Sequence, residues 1–209
     1  VISKALDEVD QAMSTYKPNS EVSLFSKSSN GISVSAPSFY VISVALDIAK
    51  QTNGAFDPTV MPLVNMWGFG PETNSPSAPT DAAIASAMKI CGWQHLQLSN
   101  DSFFVGKDIA ELEIDLSAIA KGFGADNVAA ALDASGVADY MIEVGGEVRV
   151  RGNSGKQRPW RLAIDSPNAK NYARIIELTS GAIATSGDYR NMRVVDGELV
   201  SHTIDPTTG

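Results

Sequence analysis

The spacing of apolar residues changes once along this chain, and that change limits the fold more than any other feature. Before Leu96 the apolar residues recur at helical intervals, and from Leu96 onward the interval mostly shortens to two. Ile2, Leu6, Val9 and Met13 predict an opening amphipathic helix, stopped by Lys17-Pro18-Asn19-Ser20. A second helix is expected after Pro37-Ser38, with Ser38 as its cap and Ile42, Ala45, Leu46 and Ala49 on the buried face. Asn53-Gly54 is its stop. Pro71 to Pro79 reads as an exposed loop, after which Thr80-Asp81 caps a third helix running to about Cys91 and ended by Gly92. Strands are expected at Leu96–Leu98, Phe103–Val105, Leu112–Leu116, Tyr140–Val144 and Glu147–Arg151. Further strands fall at Trp160–Ile164, Ile175–Leu178, Arg193–Val195 and Val200–Ile204. A helix from about Ala118 to Ala134, stopped by Ser135-Gly136, interrupts the series. Helices early and strands late predict an α+β fold rather than regular βαβ alternation. Neither an internal repeat nor a domain boundary is visible, so residues 1–209 read as a single domain.

Hydrophobic residues make up 44% and charged residues 19% of the 209, enough apolar material for a sizeable core. No apolar run approaches the roughly 18 to 20 residues that span a bilayer. The start, Val1-Ile2-Ser3-Lys4-Ala5-Leu6, carries no signal-peptide pattern and no initiator Met; it reads as a processed or trimmed form, which leaves export open. A net charge of −8 and no cluster of Lys and Arg argue against nucleic acid as the main partner. A phosphate ligand is still permitted, because backbone N–H groups and a divalent cation can hold one locally. With one cysteine, Cys91, there is no internal disulfide, which suits the cytosol and a large-cored exported protein alike.

Five segments carry more chemistry than packing asks for. In Gly54-Ala55-Phe56-Asp57-Pro58-Thr59-Val60-Met61-Pro62-Leu63, two prolines after a helix end predict a stiff, extended backbone. Asp57 there either caps a turn or faces a ligand. In Ile114-Asp115-Leu116-Ser117-Ala118-Ile119-Ala120-Lys121-Gly122, a strand delivers Asp115 to a helix start whose free N–H groups suit phosphate. Lys121 adds a point charge, or is simply solvated; the spacing is not that of a P-loop. Val144-Gly145-Gly146-Glu147 predicts a hairpin turn, and also permits close approach of a ligand to the backbone. Ala184-Thr185-Ser186-Gly187-Asp188-Tyr189 is a polar turn whose hydroxyls and N–H groups suit a pyrophosphate, and it lacks the serine-hydrolase elbow. Ser201-His202-Thr203-Ile204-Asp205-Pro206-Thr207-Thr208-Gly209 holds the more interesting of two histidines; His95 reads as structural. Paired His or Cys spacings for zinc are absent, so any metal is a hard, oxygen-bound ion, magnesium first.

Taken in order, these segments resemble the ApbE family, the FAD:protein FMN transferases (flavin transferases) of bacteria. The resemblance rests on Met13-Ser14-Thr15-Tyr16-Lys17-Pro18-Asn19-Ser20-Glu21-Val22-Ser23, the Gly54–Leu63 segment and Trp67-Gly68-Phe69. It continues through Asp115 to Gly122, Gly145-Gly146-Glu147, Thr185-Ser186-Gly187-x-Tyr189 and His202-x-Ile204-Asp205-Pro206-x-Thr208-Gly209. It implies an α+β fold of T-fold-like mixed sheets and packed helices, with a flavin groove between subdomains. It also implies FAD contacts from Tyr16, Ala55, Phe56, Asp57, Asp115, Lys121 and Ile204, and a main-chain oxygen of Ala118 on Mg²⁺. Family members begin earlier, with a strand touching the flavin, and continue to a segment whose Asp and Thr side chains hold the metal. This chain is therefore expected to lack both.

The implied reaction is phosphoryl transfer from FAD to a Ser or Thr hydroxyl of an acceptor protein, with AMP leaving. Mg²⁺ and Lys121 would neutralise the pyrophosphate. His202 is a candidate base because histidine ordinarily titrates near neutrality, and Asp205 is a candidate to orient it. Two alternatives use the same residues: an FAD pyrophosphatase giving FMN and AMP, and a non-enzymatic periplasmic FAD-binding protein. The resemblance further implies a periplasmic lipoprotein acting on a subunit of a membrane redox complex.

Overall fold

The computed structural model describes residues 1–71, 77–166, 172–189 and 191–209. In chain order they form α1 (Ile2–Met13), α2 (Glu21–Lys27), β1 (Gly31–Ser33), α3 (Ala36–Gln51), α4 (Met61–Met66) and α5 (Asp81–Met88). Then follow β2 (Leu96–Ser99), β3 (Phe104–Lys107), α6 (Ser117–Ala134), β4 (Tyr140–Val144), β5 (Glu147–Arg151) and β6 (Trp160–Asp165). The series ends with β7 (Tyr172–Leu178), β8 (Ser180–Ile183), β9 (Met192–Val195) and β10 (Glu198–Ser201). The class is α+β, as the change of spacing predicts.

Local chemistry explains most starts and stops. Ser20, Ser35 and Thr80 each accept an N–H three residues ahead and so begin α2, α3 and α5. The cap of α3 is thus Ser35, not Ser38: Pro37 lies within the first turn, where its missing N–H costs nothing. Pro62 likewise sits inside the first turn of α4, so the stretch expected to be extended turns helical at Met61. Leu112–Leu116 is not a strand. Leu112, Ile114 and Leu116 are buried in alternation, but the segment belongs to no sheet; alternation reports burial, not pairing. The last expected strand ends at Ser201, three residues short of Ile204. Of the loop expected at Pro71 to Pro79, residues 72–76 lie outside the described residues.

The chain divides into two compact units, passing from one to the other within α1, within α6 and again after Tyr189. The first comprises Val1–Glu8 and Lys121–Tyr189. Its antiparallel sheet has the order β4-β5-β8, and β6 and β7 form a separate ribbon. Ala5, Ala125, Val128, Ala129, Tyr140 and Ile142 make its core, with Leu6, Leu132 and Val144 packed against them. Gly145 and Gly146 join β4 to β5 with φ of +58° and +97°, the double positive φ of a tight hairpin turn. Arg149 pairs with Asp126 and Arg151 with Asp133, tying β5 to α6.

The second unit comprises Val9–Ala120 and Arg190–Gly209, with the antiparallel sheet β1-β3-β2 and the hairpin β9-β10. Lys107, on β3, is buried. Its ammonium donates to the carbonyls of Ser26 and Leu112 and lies 4.7 Å from the centre of the Phe25 ring. Burial pushes its pKa below the ordinary lysine value, against the pull of Glu113 and Glu111.

Asp57 is the tightest polar knot of this unit. Its Oδ1 accepts the N–H and the hydroxyl of Thr59 at 2.8 and 2.7 Å, and its Oδ2 accepts the Trp93 N–H at 3.0 Å. Thr59, fully buried, also accepts the Gly92 N–H at 2.6 Å. Pro58 contributes its carbonyl to the Asp115 N–H at 2.8 Å. Residues 57–59 thereby hold three distant stretches of chain together.

Two outcomes test this account. Thr59→Val keeps shape but removes the hydroxyl, leaving the Gly92 N–H without its partner. It should cost about 1–3 kcal/mol, measured by urea unfolding; a change below about 0.5 kcal/mol would show the knot to be incidental. Cys91, beside this knot, has its pKa pushed up from 9.0 to about 12 by burial, then by the charges of Asp57 and Glu113. The folded value exceeds the unfolded one, so its contribution to stability is present below pH 9 and is lost as pH rises toward 12. At pH 8 iodoacetamide should modify the native thiol at least about 100-fold more slowly than the urea-unfolded chain. Equal rates would contradict the burial.

Candidate functional site

The Gly54–Phe56 stretch is presented from a fixed base. Ala55 donates its N–H to Thr52 O at 3.1 Å and Phe56 donates its own to the Thr52 hydroxyl at 3.1 Å. Ala55 is exposed, Phe56 is half-buried and Asp57 is buried. Asp57 therefore acts through the backbone it fixes rather than as an open side chain. Tyr16 is 70% exposed, in the turn where its N–H reaches the Ser14 hydroxyl. Asp115 turns its Oδ1 onto the Ser117 N–H at 2.8 Å and so leads the chain into α6. Ala118 is exposed in the first turn of that helix.

His202, Ile204 and Asp205 share the end of the second unit. The His202 Nδ1 lies 3.2 Å from the Asn191 carbonyl, which also accepts the His202 N–H. A carbonyl can only accept, so Nδ1 carries a proton, and in the neutral ring Nε2 then keeps its lone pair. The Phe69 ring meets the imidazole edge-on at 6.3 Å between centres. Arg193 lies over the same phenyl ring and donates to Trp67 O and Gly68 O at 3.1 and 2.8 Å. The orienting contact expected from Asp205 is thus made by Asn191. Asp205 instead accepts the N–H and hydroxyl of Thr207 at 2.8 and 2.7 Å, and the hydroxyl contact above all holds its carboxyl below the ordinary value. Ile204 lines an open cavity of about 240 Å³ with Trp67, Val200, Ser201, Thr203, Asp205 and Gly209. That is below the roughly 300–1,000 Å³ of pockets for whole small ligands.

Lys121 belongs to the first unit. Its ammonium lies 2.8 Å from Glu147 Oε1 and 3.4 Å from Gly145 O. Glu147 Oε2 accepts the Thr185 N–H at 3.2 Å. The next residue, Gly122, is a helix-interior glycine whose added Cβ would meet nothing within 4 Å; packing does not require it there. A cation, an exposed Thr185–Gly187 segment and unfilled space beside Gly122 fit the phosphates of a nucleotide. Among the described residues no group of three or more His, Cys, Asp or Glu side chains is placed to hold a metal.

Glu147, Asn191 and Arg193 were not distinguishable as site residues by spacing. Glu147 has one usable signal, a carboxylate that opens a strand directly after two glycines. Asn191 had none, because its carbonyl reaches His202 only through the register of β9 on β10.

The sequence model of the ApbE family matches residues 1–209. The chain is 45% identical to the FAD:protein FMN transferase of Vibrio cholerae serotype O1, over all of this chain and 63% of that protein. It is 39% identical to the protein of the same name from Escherichia coli K12, over all of this chain and 61% of that one. Among solved structures, the flavin transferase ApbE from Vibrio cholerae superposes with a TM-score of 0.90 at 44% identity, covering 99% of this chain and 66% of that one. The ApbE protein of Thermotoga maritima gives 0.86 at 31% identity, covering 99% and 69%. The chain therefore spans about three fifths of the length of the curated relatives it matches, and over that span it belongs to the ApbE family.

Proposed function

We propose that this protein transfers FMN from FAD to a Ser or Thr hydroxyl of an acceptor protein and releases AMP. The observation that carries the reading is the correspondence over every residue of the chain with proteins named FAD:protein FMN transferase. The geometry supports it with a pinned imidazole and a pre-set lysine.

The acceptor oxygen forms a bond to the FMN-side phosphorus, and the bond from that phosphorus to the bridging oxygen breaks, AMP departing with that oxygen. The hydroxyl proton passes to Nε2 of His202, the nitrogen left with its lone pair by the Asn191 contact. Lys121 bears on the pyrophosphate charge. Ala55 and Phe56, fixed by Thr52 and Asp57, contact the nucleotide together with Tyr16, Asp115 and Ile204. Mg²⁺, with the Ala118 main-chain oxygen as one ligand, would neutralise charge on phosphate oxygens when bound. The acceptor in this reading is a subunit of a membrane redox complex, and the protein is an exported lipoprotein of the bacterial envelope.

The test mixes full-length protein with FAD, Mg²⁺ and an acceptor bearing a Thr-containing flavinylation site. Flavin fluorescence is read on the acceptor band of a denaturing gel, and AMP in solution. A fluorescent band with stoichiometric AMP, lost on adding EDTA, is expected. AMP and free FMN without a band would replace transfer by hydrolysis, and intact bound FAD would replace it by carriage. His202→Ala should slow transfer about 10²–10⁴-fold with FAD binding unchanged; full transfer would remove His202 as the base. Gly122→Ala should raise stability by about 0.5–1 kcal/mol while weakening FAD binding, because its methyl enters the space beside Lys121. Unchanged FAD affinity would separate Gly122 from the ligand.

A further inference from the structure

We infer that Glu147 is a positioning residue, which sets the Lys121 ammonium for a nucleotide phosphate and links it to the Thr185–Gly187 segment. The inference rests on the reading of Lys121 as a phosphate ligand given above.

Two polar contacts converge on this lysine, one from the turn between β4 and β5 and one from Glu147, the first residue of β5. Glu147 Oε1 takes the ammonium at 2.8 Å and Gly145 O lies at 3.4 Å. The stem crosses Gly145 so closely that a Cβ there would stand 2.7 Å from Lys121 Cδ. The turn is cleared for the stem as well as shaped by its positive φ. The pair is also unequal: the Glu147 side chain is 11% exposed and that of Lys121 44%. A carboxylate so placed is no surface ion pair with freely moving partners. It is the fixed member, and the lysine is the member that still reaches solvent.

The second oxygen of Glu147 holds the Thr185 N–H at 3.2 Å. One nearly buried carboxylate thus fixes a cation on α6 and the start of a polar segment after β8. Both suit phosphate, and fixing them before the ligand arrives removes ordering cost from binding. A negative charge beside a phosphate site would by itself weaken anion binding. Its presence makes sense if position outweighs that repulsion, and this fixes the sign of the test.

FAD affinity, read from the change in flavin fluorescence, is measured in the full-length protein and in Glu147→Gln, Glu147→Asp, Lys121→Met and the Lys121→Met/Glu147→Gln double variant. Urea unfolding confirms that each is folded. Glu147→Gln and Glu147→Asp, the second keeping the charge but not the reach, should each weaken FAD binding about 10-fold. On the Lys121→Met background, Glu147→Gln should change affinity less than about 2-fold, because the Gln carbonyl can still accept the Thr185 N–H and the rest of the effect passes through the lysine. A purely structural Glu147 would cost the same with or without Lys121, and tighter binding by Glu147→Gln would mean repulsion; either overturns the inference. Unchanged affinity in Lys121→Met would overturn the phosphate role of the lysine and this inference with it. Failure of the unaltered protein to bind FAD would instead overturn the proposed function itself.

Discussion

Asp57 sits almost out of water with three protein donors on its two oxygens, and the second unit is organised around that fact. A buried carboxylate without such donors is costly, because the solvation it gives up is large. With them it becomes a rivet. Thr59 turns back onto it, Trp93 docks on it, and the neighbouring Pro58 carbonyl receives the chain at Asp115. The exposed Ala55 and half-buried Phe56 are consequently held on backbone that has little freedom. Asp115 then directs the chain into α6 by accepting the Ser117 N–H.

The same three-letter device appears twice. Asp57-Pro58-Thr59 and Asp205-Pro206-Thr207 both place Asp Oδ1 at 2.8 Å from the Thr N–H and 2.7 Å from the Thr hydroxyl. Proline fixes φ between the two partners, and the aspartate closes the turn on its own backbone. The first copy is buried and makes structure; the second is exposed and lines the cavity beside Ile204. The use of Asp205 in its own turn explains why it does not orient His202. That task falls to a carbonyl, a neutral acceptor that orients the ring without adding charge beside the imidazole.

The sequence was legible wherever one local rule decided the outcome. The long helix α6, the Thr80 cap and the two-glycine turn each follow from propensity or φ alone. It was misleading where two rules met. Pro37 looked like a boundary, yet a proline in the first turn is compatible with a helix that Ser35 has already capped. Leu112–Leu116 alternates like a strand because alternate residues are buried, while its backbone is spent on Pro58 and Lys107 instead of a ladder. The candidate site residues divide in the same way. Lys121 and His202 could be picked out by chemistry, but Glu147 and Asn191 acquire their roles only through strand register.

The anionic ligand proposed for this protein would have to be held by a chain of net charge −8. Long-range attraction is not available to it, so the favourable field must be local. The structure supplies that by occupying its own carboxylates first. Asp57 is occupied by N–H and hydroxyl donors, Asp205 by Thr207, and Glu147 by Lys121 and Thr185. Each carboxylate is thereby committed to an internal partner and orders the neighbouring donor groups. The net charge therefore says little about the candidate site. What governs anion binding in a protein of this composition is which negative groups are already answered, and by which donors.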